Sequence, residues 1–350
     1  MNSLASYRGG ITVKFSAPVY SFLTIKAYSG ETGLPRNQHM TIAMAEEPIA
    51  EVSSPAPPGA ENNKHNDSLF VFDEVRPRLF GIAYRMLGSA AEAEDIVQDV
   101  WLRWQATDRS VVEKAPAFLA TTTTRMCINF AQSARSRREI YVGPWLPEPV
   151  DTSSDPLLGA ERREALGFAL LLLLEKLTPT ERAAYVLREA FDYSHREIAD
   201  ILQIEEENAR QLFSRARKHI ANERRTPVNL EEQRRLLEAF IEAAQKGDLA
   251  SLEGLFAEDV VSHSDGGGIV RTAARASISG RERVAKFTAA FASHFWTGVT
   301  LRWIEANGQS SILISRDGNP VAFATISASE HGIDQIMWIM RPSKLVAVSR

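Results

Sequence analysis

The chain has 350 residues, enough for roughly two or three domains that each bury a core. Its 40 Lys and Arg residues against 44 Asp and Glu residues give a net charge of −4, which argues against nucleic-acid binding only if the charges are evenly mixed. The single cysteine, Cys127, excludes an intrachain disulfide framework and a cysteine-cluster zinc site, and it fits a reducing cytoplasm. No run of about 18 apolar residues occurs, so no membrane span is expected.

Residues 1–66 differ from the rest of the chain. Ser, Thr, Gly and Pro interrupt any periodicity, and Glu46–Asn66 is a tract of Pro, Ala, Glu and Asn, which predicts a disordered tail over 1–66. The mildly apolar stretch around Lys14 has no basic segment before it and no small-residue cleavage site after it, so a secretory signal is not expected. Alternatively, translation starts at Met40 or Met44, which N-terminal sequencing of the native protein would decide.

A first helical block is predicted over residues 67–140. Apolar residues recur at helical spacing from about Leu69, and between Ala90 and Trp104 they form one stripe with acidic residues off it. Ser89, followed three residues later by Glu92, predicts a capping box at the start of this helix.

A second helical block follows over 157–226, after a proline-rich connector over 141–156 that cannot continue a helix. Thr178–Glu181 and Ser194–Glu197 each have the residues of a capping box. Two short helices follow the second box, with the small residue Ala199 at their expected crossing. This is the sequence form of a helix-turn-helix.

The last of these helices is locally basic, because Glu206–Arg225 holds six basic residues and three acidic ones. Cations on such a helix bind phosphates, and its outer polar side chains read base edges in the major groove. Gln203 stands where Gly would suit a left-handed turn, and Glu205 is a poor N-cap, but each costs no more than ~1 kcal/mol. The alternative is an ordinary solvated helix pair.

Two further charge patterns concern partners. A second basic cluster ends the first block at Arg135, Arg137 and Arg138, so two basic blocks joined by a flexible connector are expected to reach two separated DNA sites. The segment Ser89–Asp99 has no Lys or Arg, which favours a basic protein partner over DNA.

Residues 229–350 have a different pattern, in which helices precede a run of strands. This order predicts an α+β domain with its sheet curled over the helices. The predicted elements are helices at Glu231–Lys246, Leu249–Phe256 and Gly280–Ser293, a glycine tract at Asp265–Gly268, and strands at Val299–Glu305, Ser310–Ser315, Val321–Ala328 and Ile333–Met340.

Several of these segments resemble a known family. Leu79–Trp104 is similar to region 2 of bacterial sigma factors and Leu177–Ile220 to region 4, and the pair without region 3 resembles the extracytoplasmic-function (ECF) group. Trp145–Pro149 (WLPEP) and Asp265–Gly268 (DGGG) further resemble the SigJ-like subgroup, which carries a C-terminal SnoaL-like domain. The implied fold class is multidomain: two all-α sigma domains, a helical bundle and a helix-turn-helix, followed by an α+β SnoaL-like cone.

The resemblance implies four groups of site residues. Contacts with core RNA polymerase fall on Asp95, Gln98, Asp99 and Trp101. Recognition and opening of the minus-ten element fall on Arg125, Asn129, Arg135 and Arg138. Recognition of the minus-thirty-five element falls on Arg210, Gln211, Ser214, Arg215 and Arg217. Interdomain regulatory contacts fall on Trp145, Leu146, Pro147, Glu148, Pro149, Asp265, Gly266, Gly267 and Gly268.

The implied function is that of an alternative sigma factor in the bacterial cytoplasm. It binds core RNA polymerase and promoter DNA, is modulated in cis by its C-terminal domain, and needs no catalytic residue, metal or cofactor of its own. A small-molecule ligand or a protein regulator of the C-terminal domain stays open.

Two other functions stay open as alternatives. One is a small-molecule-sensing regulator that binds DNA without polymerase, and the other is a pocket enzyme whose turnover is lost on replacing Asp265 or His263. The residues expected to line a pocket in the C-terminal domain are His263, Asp265, His294, Trp296, Trp303, His331, Asp334 and Trp338.

Overall fold

The computed structural model describes the backbone over residues 59–139, 141–152 and 167–349, and the side chains over the same ranges except 59–68 and 134–139. Residues 1–58 of the predicted tail therefore lie outside the described residues. The first helix begins at Gly59, so it includes residues 59–66, which the composition had assigned to the tail.

The first helical block is a three-helix bundle. Its helices are α1 (Gly59–Leu87), α2 (Ala90–Ala106) and α3 (Ala115–Glu139), and a single 3-10 turn at Arg109–Val111 joins the last two. The predicted start of α2 is confirmed: the Ser89 hydroxyl accepts a hydrogen bond from the Glu92 amide at 3.2 Å. Cys127 on α3 is fully buried, and burial raises the pKa of its thiol, which therefore stays protonated in the core.

Over its described residues, from 167 onward, the second helical block has four helices: α4 (Phe168–Glu175), α5 (Pro179–Phe191), α6 (His195–Leu202) and α7 (Glu206–Glu223). Both predicted capping boxes are confirmed, at the starts of α5 and α6. The turn between α6 and α7 puts Gln203 in the left-handed region, with φ 57° and ψ 50°.

Replacing Gln203 by glycine is expected to raise the free energy of unfolding by about 0.5 to 1 kcal/mol, because glycine adopts positive φ without a steric penalty. The bond from its backbone N–H to the Ala199 carbonyl is kept. The matched control is Gln211→Gly at an exposed position inside α7, where the same change is expected to cost about 1 kcal/mol. Denaturant unfolding curves of both variants check the opposite signs, and equal losses would contradict the prediction.

The two helical blocks share one hydrophobic core, whereas the sequence suggested two blocks held apart by a flexible connector. Arg182 of α5 is 4% exposed, and its Nη1 donates to the Met86 carbonyl at 2.6 Å and to Glu175 Oε1 at 2.6 Å. Arg78 of α1 donates to the Phe191 carbonyl at 2.9 Å. The apolar stripe of a helix does not show which segment covers it. The sequence therefore did not predict that each block covers part of the apolar surface of the other.

The C-terminal part is an α+β domain, as predicted. Its helices are α8 (Leu230–Lys246), α9 (Leu249–Leu255), α10 (Arg281–Ala290), α11 (Ala292–Phe295) and α12 (Pro342–Leu345), and a 3-10 turn at Val346–Val348 follows. Its strands are β1 (Phe256–Asp265), β2 (Ile278–Ser279), β3 (Val299–Ala306), β4 (Gln309–Arg316), β5 (Asn319–Ser329) and β6 (Gly332–Ile339). They form one sheet in the order β2-β1-β6-β5-β4-β3, in which only β1 and β6 are parallel.

Strand β1 was missed from the sequence, although it lies inside the sheet. It starts at Phe256 directly after α9, so no turn residues separate helix from strand. Ser262 and Ser264 are buried at 2% and 4% exposure, and buried hydroxyl side chains hide the alternation of apolar and polar residues that marks a strand.

The sheet has an apolar layer on each face. One layer packs on α8 and α10 through Leu237, Phe240 and Val284. The other layer contains Phe323 and is covered from outside the domain by Leu146 of the connector and Phe168 of α4, with the Phe168 and Phe323 rings 5.5 Å apart. Among the helices that the structure describes, none is long and apolar enough to cross a bilayer.

Candidate nucleic-acid interface and linker site

Helix α7 presents an exposed polar face. Its opposite side is held in the core by Ala209, Ala216 and Ile220, which are at most 3% exposed. All five residues predicted for the minus-thirty-five element are exposed: Arg210, Gln211, Ser214, Arg215 and Arg217. Their spacing at i, i+4 and i+7 gives one continuous face, as a helix that enters a major groove requires.

Two of these arginines are oriented by carboxylates. Arg210 Nη2 lies 2.5 Å from Glu206 Oε1 in the first turn of α7, and Arg215 Nε lies 3.4 Å from Glu181 Oε1 of α5. The side chains of Arg210 and Arg215 are still 57% and 63% exposed, so both remain accessible to a phosphate or a base edge. Arg217 makes no ion pair with a described residue.

Helix α2 exposes the residues predicted to bind a protein partner. Asp95, Gln98 and Asp99 are exposed, and Leu102, 56% exposed, continues their row along the helix. Leu102 was not among the predicted contacts, because the apolar periodicity of α2 marks its buried side and gives no signal for an exposed leucine. Trp101 is only half-buried, and its ring packs on Phe72 at a centroid distance of 4.8 Å, so it also contributes to the core.

The predicted minus-ten residues on α3 are in different environments. Asn129 is exposed, whereas the Arg125 guanidinium donates from Nε to the Ile201 carbonyl at 2.8 Å and from Nη2 to the Asp200 carbonyl at 3.2 Å. These carbonyls belong to the last turn of α6. Carbonyls at a helix C-terminus have no intrahelical N–H donor and carry partial negative charge. The side chains of Arg135 and Arg138 lie outside the described residues.

The connector is fastened to the C-terminal domain at Asp265, which is fully buried at the end of β1. Its carboxylate accepts hydrogen bonds from the Tyr141 hydroxyl at 2.5 Å, from the Leu146 amide at 2.9 Å and from Lys344 Nζ at 2.8 Å. Lys344 also donates to the Leu146 carbonyl. Burial and the hydrogen bond to Asp265 raise the pKa of Tyr141 to about 12, so its hydroxyl stays a donor.

A second anchor joins the connector to both neighbouring parts of the protein. The Tyr84 hydroxyl of α1 donates to the Glu148 carbonyl at 2.6 Å and accepts from Asn307 Nδ2 at 2.6 Å. Glu148 also accepts from the Ala91 amide at 3.1 Å and donates its own amide proton to the Gly88 carbonyl at 2.8 Å. Burial raises the pKa of Tyr84, which keeps this hydroxyl protonated.

The glycine tract allows the connector to approach closely. Gly267 and Gly268 have φ values of 59° and 75°, in the left-handed region. A Cβ atom on Gly268 would lie 2.8 Å from the Cβ of Val142, and one on Gly267 would lie 3.1 Å from the Tyr141 hydroxyl. The structure therefore brings together the WLPEP and DGGG segments, which are separated in sequence by more than one hundred residues.

The linker site consists of the connector and the residues that bond to it. The sequence did not assign several of these residues to the site. Tyr84, Tyr141 and Asn307 are single polar residues without a motif around them, so no sequence signal marked them. Lys344 was not singled out either, because it is one charged residue just after the last predicted strand. Its ammonium group lies 4.2 Å from the Trp145 ring centroid, which adds a cation–π contact to the hydrogen bonds.

The residues predicted to line one pocket do not share one. Trp296 and Trp338 line a cavity of about 50 Å³ on the helix-covered side of the sheet, with ring centroids 6.2 Å apart. His263 and Asp265 alternate with Ser262 and Ser264 along β1, so they point to the opposite face, which carries the connector.

The remaining residues of that predicted pocket are also dispersed. Trp303 is 39% exposed on β3, His331 is exposed between β5 and β6, His294 lines a separate cavity, and Asp334 lines a third one beside α4. In the part of the chain that the structure describes, no three His, Cys, Asp or Glu side chains are grouped as metal ligands would be.

Comparisons with known proteins agree with this architecture. Residues 71–137 match the family model of sigma-70 region 2, and residues 167–220 match that of sigma-70 region 4. The chain is 37% identical over 237 residues to the ECF RNA polymerase sigma factor SigJ of Mycobacterium tuberculosis, covering 65% of this chain and 74% of the relative. It is 34% identical over 182 residues to the probable ECF RNA polymerase sigma factor SigI of the same species, covering 51% of this chain and 62% of the relative.

The fold has been seen in a solved structure. The crystal structure of the M. tuberculosis extracytoplasmic function sigma factor SigJ superposes with a TM-score of 0.64 at 29% sequence identity, covering 80% of this chain and 98% of that one. The two helical blocks, the family models that match them and the identity to SigJ lead to one assignment. The chain belongs to the family of ECF RNA polymerase sigma factors.

Proposed function

We propose that the protein binds core RNA polymerase through the exposed face of α2, contacts the minus-ten element through α3 and reads the minus-thirty-five element through α7. Region 2 is assigned to residues 67–140, the linker to 141–156, region 4 to 157–226 and a cis-regulatory domain to 229–350. The observation that carries this function is the exposed polar face of α7, whose five predicted DNA contacts are all accessible.

The proposed activity is binding, and the chemistry of transcription belongs to the polymerase. Unstacking promoter bases costs a few kcal/mol per step, and capture of the displaced bases and phosphate contacts offset this cost. We therefore assign no catalytic group to the protein and place its action in the bacterial cytoplasm, where polymerase and chromosome meet.

Run-off transcription tests this function. Full-length protein mixed with bacterial core polymerase is expected to start transcription on genomic fragments selected by the mixture, whereas the double variant Asp95→Lys/Asp99→Lys is not. Both aspartates are exposed, so the charge reversal removes the acidic docking face without disturbing the core. Initiation at no fragment would overturn the proposal, and promoter binding that needs no core enzyme would favour the small-molecule-sensing regulator.

We also propose that the C-terminal domain holds the sigma domains in a closed arrangement that opposes initiation. Arg125 is proposed to contact the minus-ten element, but its guanidinium donates hydrogen bonds to two carbonyls in the last turn of α6. DNA binding by Arg125 therefore requires that α3 and α6 separate at this point.

The connector supports the same arrangement, because it is bonded to the sheet at Asp265 and to α1 at Tyr84. Leu146 is fully buried in the apolar layer of the sheet, together with Phe168 of α4. Opening the two blocks by movement of α4 would remove Phe168 from that layer. A ligand or partner that binds the open and closed arrangements with different affinity would change the output.

A further inference from the structure

Two neighbouring cavities lie between the sheet of the C-terminal domain and its helices α10 and α11. One is the aromatic cavity of about 50 Å³, lined by Trp296 and Trp338, and the other, the outer cavity, has a volume of about 420 Å³. The outer cavity alone is within the range of small-molecule sites, roughly 300 to 1,000 Å³. The two cavities adjoin, because they share four wall residues: Thr272, Phe291, Phe295 and Met340.

The aromatic cavity presents the faces and edges of several rings. Phe287, Phe291 and Phe295 line it together with the two tryptophans. The Phe295 ring lies 5.0 Å from that of Trp296 and 5.8 Å from that of Trp338, at interplanar angles of 89° and 82°. A further aromatic ring placed in this cavity would extend the same edge-to-face packing and would leave water.

The outer cavity has a guanidinium in its wall. Arg316 of β4 lines it, and Arg316 Nη2 donates to the Phe295 carbonyl at 2.8 Å. This bond holds the guanidinium next to a residue that lines both cavities. Arg316 makes no ion pair with a described residue, and the Phe295 carbonyl takes only one of the five N–H donors of a guanidinium.

The charge of the walls selects the ligand. Among the described residues that line the two cavities, none is Asp or Glu, and the outer cavity adds the imidazole of His294 to that of the Arg316 guanidinium. Aromatic walls by themselves also attract cations, but an uncompensated guanidinium beside them repels a cation. A guanidinium binds a carboxylate strongly, through charge-assisted hydrogen bonds.

We propose that the two cavities form one site for a small aromatic carboxylate. Its ring packs in the aromatic cavity against Trp296 and Trp338, and its carboxylate accepts hydrogen bonds from Arg316 in the outer cavity. The ligand is thus a monoanion with one ring a few bonds from its charge. Binding at this site does not depend on the proposed role in transcription, because it needs neither polymerase nor DNA.

Calorimetric titration of the full chain with three matched probes tests the site. 3-Phenylpropanoate, 3-phenylpropanamide and 3-phenylpropylamine have the same ring and chain length but carry a negative charge, no charge and a positive charge. Saturable binding of the carboxylate is expected, at least tenfold tighter than that of the amide and tighter still than that of the amine. No saturable binding of the carboxylate, or binding no tighter than that of either other probe, would overturn the proposal.

The variant Arg316→Gln tests the charge pairing. It is expected to weaken binding of 3-phenylpropanoate at least tenfold and to change binding of the amide by no more than about twofold. Arg302→Gln on β3 is the matched control, because Arg302 also donates to a backbone carbonyl, that of Val348 at 2.7 Å, but lines neither cavity. Unchanged carboxylate binding by Arg316→Gln, an equal loss of carboxylate and amide binding, or an equal loss with Arg302→Gln contradicts the pairing.

A second variant locates the ring of the ligand. Trp296→Leu removes part of the aromatic wall and is expected to weaken the carboxylate and the amide alike, by at least fivefold, since both carry the same ring. Trp303→Leu removes an exposed indole of β3 that lines neither cavity, and it should leave both affinities unchanged. Equal effects of the two tryptophan variants would show that the ring binds elsewhere.

Discussion

Replacing Lys344 by methionine is expected to lower the free energy of unfolding by about 3 kcal/mol, the lower end of the range for breaking a buried ion pair. Lys344 is 5% exposed and Asp265 is fully buried, so the substitution leaves a carboxylate without its cation in the interior. The loss stays at the lower end because Tyr141 and Leu146 still donate to this carboxylate. Denaturant unfolding of the full chain measures the change.

Two further variants identify the cause. Lys344→Met/Asp265→Asn removes both charges and is expected to recover part of the loss, because no uncompensated carboxylate is then left in the interior. Lys286→Met removes an exposed lysine that pairs with Glu282 on the surface of α10, and it is expected to change stability by less than about 0.5 kcal/mol. Equal losses for Lys344→Met and Lys286→Met would show that the buried pair is not the cause.

The same variant tests the closed arrangement. Because Lys344 holds the Leu146 carbonyl and Asp265 together, its loss is expected to release the connector and raise run-off transcription about fivefold or more, a typical size for coupling between sites. Faster proteolytic cleavage within residues 141–149 should accompany the gain. Cleavage without any gain in transcription would contradict cis regulation while leaving the linker site intact.

Replacing Arg217 by alanine is expected to weaken promoter binding by the polymerase complex by roughly 5- to 150-fold, the equivalent of about 1 to 3 kcal/mol. Arg217 is exposed on α7 and makes no ion pair with a described residue, so its removal costs little stability and the loss falls on DNA binding. Fluorescence anisotropy of a labelled promoter fragment with the reconstituted holoenzyme measures the affinity.

The salt dependence of this variant separates two roles. If Arg217 contacts a phosphate, the slope of log affinity against log salt should fall by about 1, and all sequences should weaken alike. If Arg217 reads a base edge, preference at one position of the minus-thirty-five element should relax instead. Arg234→Ala on the exposed surface of α8 removes the same charge away from α7, and an equal loss there would contradict the assignment of the α7 face.

The sequence determined the local elements of this protein. Helix starts at Ser89, Thr178 and Ser194 were predicted because capping depends on residues within one turn of each other. The exposed face of α7 was predictable for the same reason, since helical spacing alone separates its polar side from the buried Ala209 and Ala216.

The sequence analysis failed where burial depends on distant segments. Strand β1 was missed because Ser262 and Ser264 are buried, a fact that only the surrounding sheet and helices decide. A single pocket was expected around His263 and Asp265, whereas Asp265 is bonded by the connector and the pleat of β1 puts His263 on that same face, away from the aromatic cavity.

The net charge of −4 neither excluded DNA nor indicated it, because the sequence itself places basic residues on α7 and acidic residues on α2. The resemblance of several segments to sigma factors indicated the family and implied the residues expected at DNA and polymerase. Only the tertiary structure decided that the Arg125 guanidinium binds the carbonyls of α6, and that Asp265, Leu146 and Lys344 form one buried cluster. These contacts join groups 76, 79 and 119 residues apart, and their formation depends on the packing of whole domains, which no local pattern records.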